Sequence, residues 1–236
     1  MRVATALAAL LLANGIARAG DYAGLEVIGF SPDGATFAFE EYGVQDGSGF
    51  PYSNIYVVET AADRWVAGTP MRVQLNSEQA TLASARKQAR DKAKGVLGAT
   101  RIGTPATVLA SNPATEVSAD PHHVVFLPRI IAPGGGAPYD LVLTETELPA
   151  PSCPNVGQPF KGFSLVITGP QGLPRALASD SSIPSSRRCP LGYAITEVVT
   201  NDHDKGQPVL VVIVSVFSVG FEGQDRRFMA VTSRLQ

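Results

Sequence analysis

The chain has 236 residues, 44% of them hydrophobic, with 19 Lys and Arg set against 21 Asp and Glu. That near-balance and ordinary apolar content describe a globular core rather than a disordered chain. They also argue against nucleic acid as a partner, because phosphate binding needs a concentrated basic surface.

Met1 and Arg2 give a positive start, and Val3 to Ile16 form an apolar run interrupted only by Thr5, Asn14 and Gly15. Ala17-Arg18-Ala19 then places small residues where a signal peptidase reads, so residues 1–19 are expected to be a secretory signal cleaved before Gly20. The run is too short to cross about 30 Å of hydrocarbon; a buried N-terminal helix is the alternative. The first cysteine is Cys153, which argues against a lipid anchor at the cleavage site. Cleavage leaves 217 residues with no further spanning segment and a net charge near −4. Cys153 and Cys189 are the only cysteines, and in an oxidising compartment such a pair reads as one disulfide, with two buried thiols as the alternative.

Leu25 to Phe30 reads as a first strand, ended by Ser31-Pro32-Asp33-Gly34. Pro32 suits the first central position of a type I turn and Gly34 its close. Thr36 to Tyr42 follows, and the period of two puts Phe37, Phe39 and Glu41 on one face while parting Glu40 from Glu41. A glycine-rich polar loop occupies 43–53, Asn54 to Thr60 gives a third strand, and the chain turns at Asp63-Arg64 into a short fourth around Trp65. These four strands make one antiparallel sheet or blade.

One helix is expected over about 77–97, capped by Asn76 or Ser77, with Glu78 in its first turn. Leu82, Ala85, Ala89, Ala93, Val96 and Leu97 share a face that is mostly alanine, suited to lying flat on a sheet. Arg86, Lys87, Arg90, Lys92 and Lys94 cover the other sides and read as a solvated face. Further strands are expected at 106–109, 124–129, 139–145, 162–168, 174–179, 193–200, 209–219 and 227–232. Of these, Val209 to Val219 is rich in Val and Ile and reads as a long strand buried on both faces. A gapless overlay of Ala35–Val58 on Pro208–Val231 puts Gly47 on Gly220, as repeated hairpins would.

No motif announces a reaction. Gly-x-Ser-x-Gly, His-Glu-x-x-His and phosphate-cradling loops are missing from the sequence. His122 and His123 are neighbours and would point to opposite faces of a strand. Asn201-Asp202-His203-Asp204-Lys205-Gly206 echoes the start of a calcium loop without its distal glutamate, and reads as a hairpin turn. If the two hairpins are stacked repeats, the loop with Asp46, Tyr52 and Ser53 emerges beside the loop with Glu222, Asp225, Arg226 and Arg227. Glu41, Asp46, Tyr52, Glu222, Asp225 and Arg226 are then the candidate ligand- or partner-binding residues, with neither metal nor cofactor implied.

Phe30-Ser31-Pro32-Asp33-Gly34, the stretch Phe39 to Ser53, Asn112 to His122, Arg188 to Tyr193 and Gly220 to Phe228 together resemble the bacterial "predicted secreted protein" family of unknown function. The resemblance spans nearly all of the mature chain and implies export, with no activity to carry over. The Ser-Pro-Asp-Gly turn and its flanking strands also resemble one blade of a TolB-type β-propeller. The expected fold is therefore mainly β: about ten antiparallel strands and one helix in one domain over residues 20–236. Its strands form propeller-like blades or a sandwich, and the length allows only about three blades where a closed propeller takes at least four. The expected function is a non-enzymatic exported module for an unknown protein or polar ligand of the cell envelope. The alternative is a periplasmic hydrolase whose carboxylates converge from the loops at 41–53 and 220–227.

Overall fold

A computed structural model describes residues 20–129, 136–201 and 208–235. The expected signal segment and the Asp202–Gly206 part of the calcium-like turn lie outside the described residues. The first sheet is built from β1 (Gly24–Phe30), β2 (Thr36–Val44), β3 (Pro51–Glu59), β4 (Arg64–Trp65) and β5 (Met71–Gln74). Helix α1 (Leu82–Ala99) follows, then β6 (Thr107–Ser111). The third sheet comprises β7 (His123–Phe126), β8 (Tyr139–Glu147), β9 (Lys161–Thr168) and β10 (Pro174–Ser179). β11 (Pro190–Thr200), β12 (Val209–Val219) and β13 (Gln224–Arg234) return to β6 and form the central sheet, in the order β13-β12-β11-β6. All three sheets are antiparallel and none is closed into a barrel. Among the described residues thirteen strands stand where about ten were expected, and the short β5 is the one with no counterpart among the segments read from the sequence.

β12 explains why the sheets stack. Its odd residues Val209, Val211 and Ile213 pack with Phe37, Phe39 and Tyr56 of the first sheet. Its even residues Leu210, Val212, Val214 and Val216 pack with Leu141, Phe163 and Leu165 of the third. A strand with no polar face must be covered twice, and this one is.

The opening turn follows its sequence. Gly34 N–H donates to Ser31 O at 2.9 Å, and Asp33 accepts from Ser31 Oγ at 2.6 Å and Ala35 N–H at 3.1 Å. Gly34 has φ +67°, a conformation that favours glycine.

Helix α1 starts five residues later than expected. Thr81 and Ser84 form a reciprocal capping box, each hydroxyl accepting the other's backbone N–H at 3.1 Å. Asn76 and Ser77 precede the helix and Glu78 is not in its first turn. The alanine face behaves as expected: Ala85, Ala89 and Ala93 are buried against Ile55 and Val73 on the outer side of the first sheet. The basic face divides: Lys87, Lys92 and Lys94 are exposed as expected, whereas Arg86 and Arg90 turn to the sheet. Arg86 and Arg90 both bond Glu40, which is fully buried, and both reach Glu26. Lys87 pairs with Asp91 within the helix. The two arginines are therefore clamps on the sheet rather than a solvated surface.

Candidate functional site

Alternation along β2 and β3 determines what faces the central sheet. Glu41 lies opposite Asn54, and Phe39 opposite Tyr56. Tyr52, Asn54 and Tyr56 then share one face of β3 by the period of two. Glu40 points the other way, to α1, as its contacts with Arg86 and Arg90 show.

Between this polar end of the first sheet and β13 opens a cleft of about 770 Å³, within the usual range for ligand sites. Its lining includes Phe228 and Ala230, which pack toward the first sheet, and Val216 and Met229, which pack toward the third. Residues from both faces of the central sheet can line one cleft only where it runs along that sheet's edge, and β13 is the edge strand. The opposite wall carries Tyr56, Arg64, Trp65 and Arg72; the segment Pro184–Arg188 borders the side near the third sheet.

Arg227 organises the buried end. It is paired across the sheet with Val216, on the side of the third sheet, yet its guanidinium reaches round the edge to Asp21 and lies 4.8 Å from the Tyr52 ring centre. Asp21 also accepts from Tyr52 Oη at 2.7 Å. Glu41 is almost wholly buried. It accepts from Phe228 N–H at 2.7 Å and Asn54 Nδ2 at 3.0 Å, and stands 3.9 Å from Arg227 Nε. Burial pushes the Glu41 carboxyl above its usual range despite these partners. Burial likewise raises the Tyr52 phenol, the Asp63 carboxyl and the Asp225 carboxyl.

The six expected residues divide. Glu41 and Tyr52 line the cleft. Asp225 sits just behind it, 3.9 Å from Arg227 Nη2 and 3.7 Å from Arg188 Nη1. Arg226 turns aside, its guanidinium 5.0 and 5.2 Å from the Tyr22 and Phe228 ring centres and bonded to Ala23 O at 2.8 Å. Glu222 is exposed on the connection between β12 and β13, away from the cleft lining. Asp46 is outside the lining as well, and its Oδ2 is shut from solvent with no hydrogen-bond partner among the described residues. The two loops themselves do meet: a Cβ placed on Gly47 would come within 3.0 Å of the Phe221 ring. The hydrolase reading asks four carboxylates to converge, and Glu41 alone of those four reaches the cleft wall.

Sequence reasoning missed Asp21, Asn54, Tyr56, Asp63, Trp65, Arg72, Arg187 and Arg188 as site residues. For Asn54 and Tyr56 a signal existed, since they repeat Tyr52 at intervals of two. The arginines come from separate segments and carry no local pattern. Five of them line the cleft (Arg64, Arg72, Arg187, Arg188 and Arg227) against two carboxylates, Glu41 and Asp63. Arg64, Arg187 and Arg227 are paired with Glu59, Asp180 and Asp21. Arg72 makes no ion pair among the described residues, its guanidinium standing 6.0 Å from the Trp65 ring centre. The disulfide between Cys153 and Cys189 ties down the segment that carries Arg187 and Arg188.

His122 and His123 go separate ways, to Tyr193 O at 2.8 Å and to Asp140 Oδ2 at 3.2 Å. Among the described residues no three His, Cys, Asp or Glu side chains gather as a metal ion would require. No helix there is long and apolar enough to cross a membrane.

No curated protein and no solved structure matches the chain. A family model described as a predicted secreted protein, DUF2259, matches residues 38–234, from the third residue of β2 to the last residue of β13. With that span covering most of the sequence and both walls of the cleft, the chain belongs to the predicted secreted protein family DUF2259.

Proposed function

We propose that this protein is an exported, non-enzymatic binding module of the periplasm or cell envelope that takes a polar, anionic ligand in the cleft along β13. The observation that carries the reading is the local charge. Five arginines and two carboxylates line the cleft of a chain whose formal net charge is −2. Planar guanidinium forks suit carboxylate or phosphate oxygens, and Arg72 and Arg188 are the least neutralised of the five. Trp65 and Tyr56 add aromatic surface that holds a ligand at low entropic cost. Cleavage before Gly20 is the expected processing, and Gly20 itself packs on β13, where a Cβ would come within 2.3 Å of Gln224 O. The face-to-face stacking of three antiparallel sheets supports reading them as blades of an open, propeller-like array in one unit over residues 20–236.

Trp65 is the sole tryptophan and lines the cleft, so its fluorescence reports occupancy directly. Pentaglutamate, trigalacturonate and tripolyphosphate serve as anionic probes, with maltotriose as the neutral control. At least one anionic probe is expected to saturate the signal at low salt. The Arg72→Glu/Arg188→Glu variant should bind it about ten-fold or more weakly, since two attractive charges become repulsive. Silence from all three probes, or equal binding by the variant, refutes the reading. Intact-mass measurement of the exported chain tests the address: a chain still beginning at Met1 contradicts it.

A further inference from the structure

The edge of β13 says what form the ligand takes. In an antiparallel ladder alternate residues turn their N–H and C=O away from the neighbouring strand. On β13 the outward N–H groups are those of the even residues: Arg226 N–H donates to Asp21 O at 2.9 Å, Phe228 N–H to Glu41 Oε2 at 2.7 Å, and Thr232 N–H to Asp63 Oδ1 at 2.9 Å. Ala230 belongs to the same set, lines the cleft, and has no such partner among the described residues. A bare edge donor and acceptor beside an arginine-lined cleft are what an extended peptide would use.

The chain already shows how such a segment docks. Its own Asp21-Tyr22-Ala23 lies beside Arg226 in a single parallel bridge, Ala23 N–H donating to Arg226 O at 3.1 Å. The carboxylate of Asp21 meets the Arg227 guanidinium. Backbone pairing and an acid on an arginine occur together in three residues.

We infer that the cleft binds an acidic extended peptide segment of a partner protein by strand addition to β13 at Ala230, a deepening that rests on the anionic-ligand reading above. The Phe228 C=O and the Ala230 N–H and C=O supply the ladder bonds, and alternate side chains of the added strand point to opposite sides. Those facing the first sheet meet Arg72 and Trp65; those facing the third meet Arg188. The partner segment is therefore short and carries acidic residues on both faces.

The test titrates the exported chain with acetylated, amidated pentaglutamate, the same peptide N-methylated at every residue, and trigalacturonate, following Trp65 fluorescence. Methylation leaves the charge and removes the N–H donor of every residue, sparing only the C-terminal carboxamide. Pentaglutamate is expected to bind and its methylated form to bind about ten-fold or more weakly, as lost hydrogen bonds dictate. Ala230→Pro removes the outward N–H while sparing the bonds to β12, as edge strands permit. It should weaken pentaglutamate similarly, with its fold checked by circular dichroism. Equal binding of the two peptides overturns strand addition and leaves an anion-binding cleft. Trigalacturonate binding without pentaglutamate binding overturns the peptide while sparing the cleft. A methylation effect that Ala230→Pro does not share places the pairing elsewhere and overturns β13 as its site. If no anionic probe binds, both inferences fall.

Discussion

Replacing Glu40 by glutamine tests whether the ion cluster, and not alanine packing alone, holds α1 on the first sheet. Glu40 accepts from Ser53 Oγ at 2.8 Å, Arg86 Nε and Nη2 at 2.9 and 3.0 Å, and Arg90 Nε and Nη2 at 3.0 and 2.7 Å. Glutamine keeps the shape but supplies one acceptor oxygen, and its amide hydrogens face guanidinium hydrogens. Breaking a buried pair by removing one partner costs about 3–5 kcal/mol. Here the Arg86 and Arg90 side chains are 29% and 37% exposed and keep Glu26, so solvent and the remaining carboxylate reduce the cost to about 2–3 kcal/mol. For a chain of this size that lowers Tm by about 5–10 °C and moves the urea midpoint at constant slope. Acid gives a second arm. Burial pushes the Glu40 carboxyl up, but Arg86, Arg90 and Ser53 outweigh it and hold the group below the usual 4.5. A lowered carboxyl pKa stabilises the fold fully above the unfolded value, and that stability is lost as pH falls through the folded value. The advantage of wild type over Glu40→Gln should be whole at neutral pH and shrink below about pH 4.5. A variant within about 0.5 kcal/mol of wild type at pH 7, or a gap that widens on acidification, refutes the clamp.

The adjacent glutamate should behave oppositely. Because burial raises the Glu41 carboxyl, its ionised form is the costly one; Glu41→Gln still accepts from Phe228 N–H but turns amide hydrogens on Asn54 Nδ2, so it should cost about 1–2 kcal/mol at pH 7, less than Glu40→Gln. Wild type should gain on this variant as pH falls from the raised value toward 4.5, since there the folded state binds the extra proton; urea titrations at three pH values check the sign. Cys153→Ser/Cys189→Ser opens a loop of sequence separation 36 and should cost about 3–4 kcal/mol by the chain-entropy account, read from unfolding midpoints beside the wild type.

Several features were legible because they are local. Pro174–Ser179 and Val209–Val219 have the same bounds in sequence and structure, and the Ser-Pro-Asp-Gly turn forms as its residue types require. The Phe37, Phe39 and Glu41 face follows from a period of two, as does the parting of Glu40 from Glu41. What was not legible depends on distant segments. Arg86 looks solvated until β1 and β2 bring Glu26 and Glu40 to it from 60 and 46 residues away. Met71–Gln74 has too little pattern to declare a strand and is one because β3 offers it an edge. The arginines of the cleft share no spacing at all; the stacking of sheets around β12 assembles them.

Edge chemistry connects these observations. An exported protein with an eleven-residue strand at the edge of its central sheet presents a template on which a second copy could pair. This chain blocks that template from three separate segments, with Asp21, Glu41 and Asp63 occupying the outward donors at Arg226, Phe228 and Thr232. The blocks are two and four residues apart, so between Phe228 and Thr232 a single residue's width stays open at Ala230. A second β13 needs a continuous ladder and finds none, whereas a short ligand needs only a few bonds and gains the surrounding arginines. Glu41 thus has a role that its burial alone would not justify: a costly carboxylate, held in place by Asn54 and Arg227, that decides how much of the edge is available.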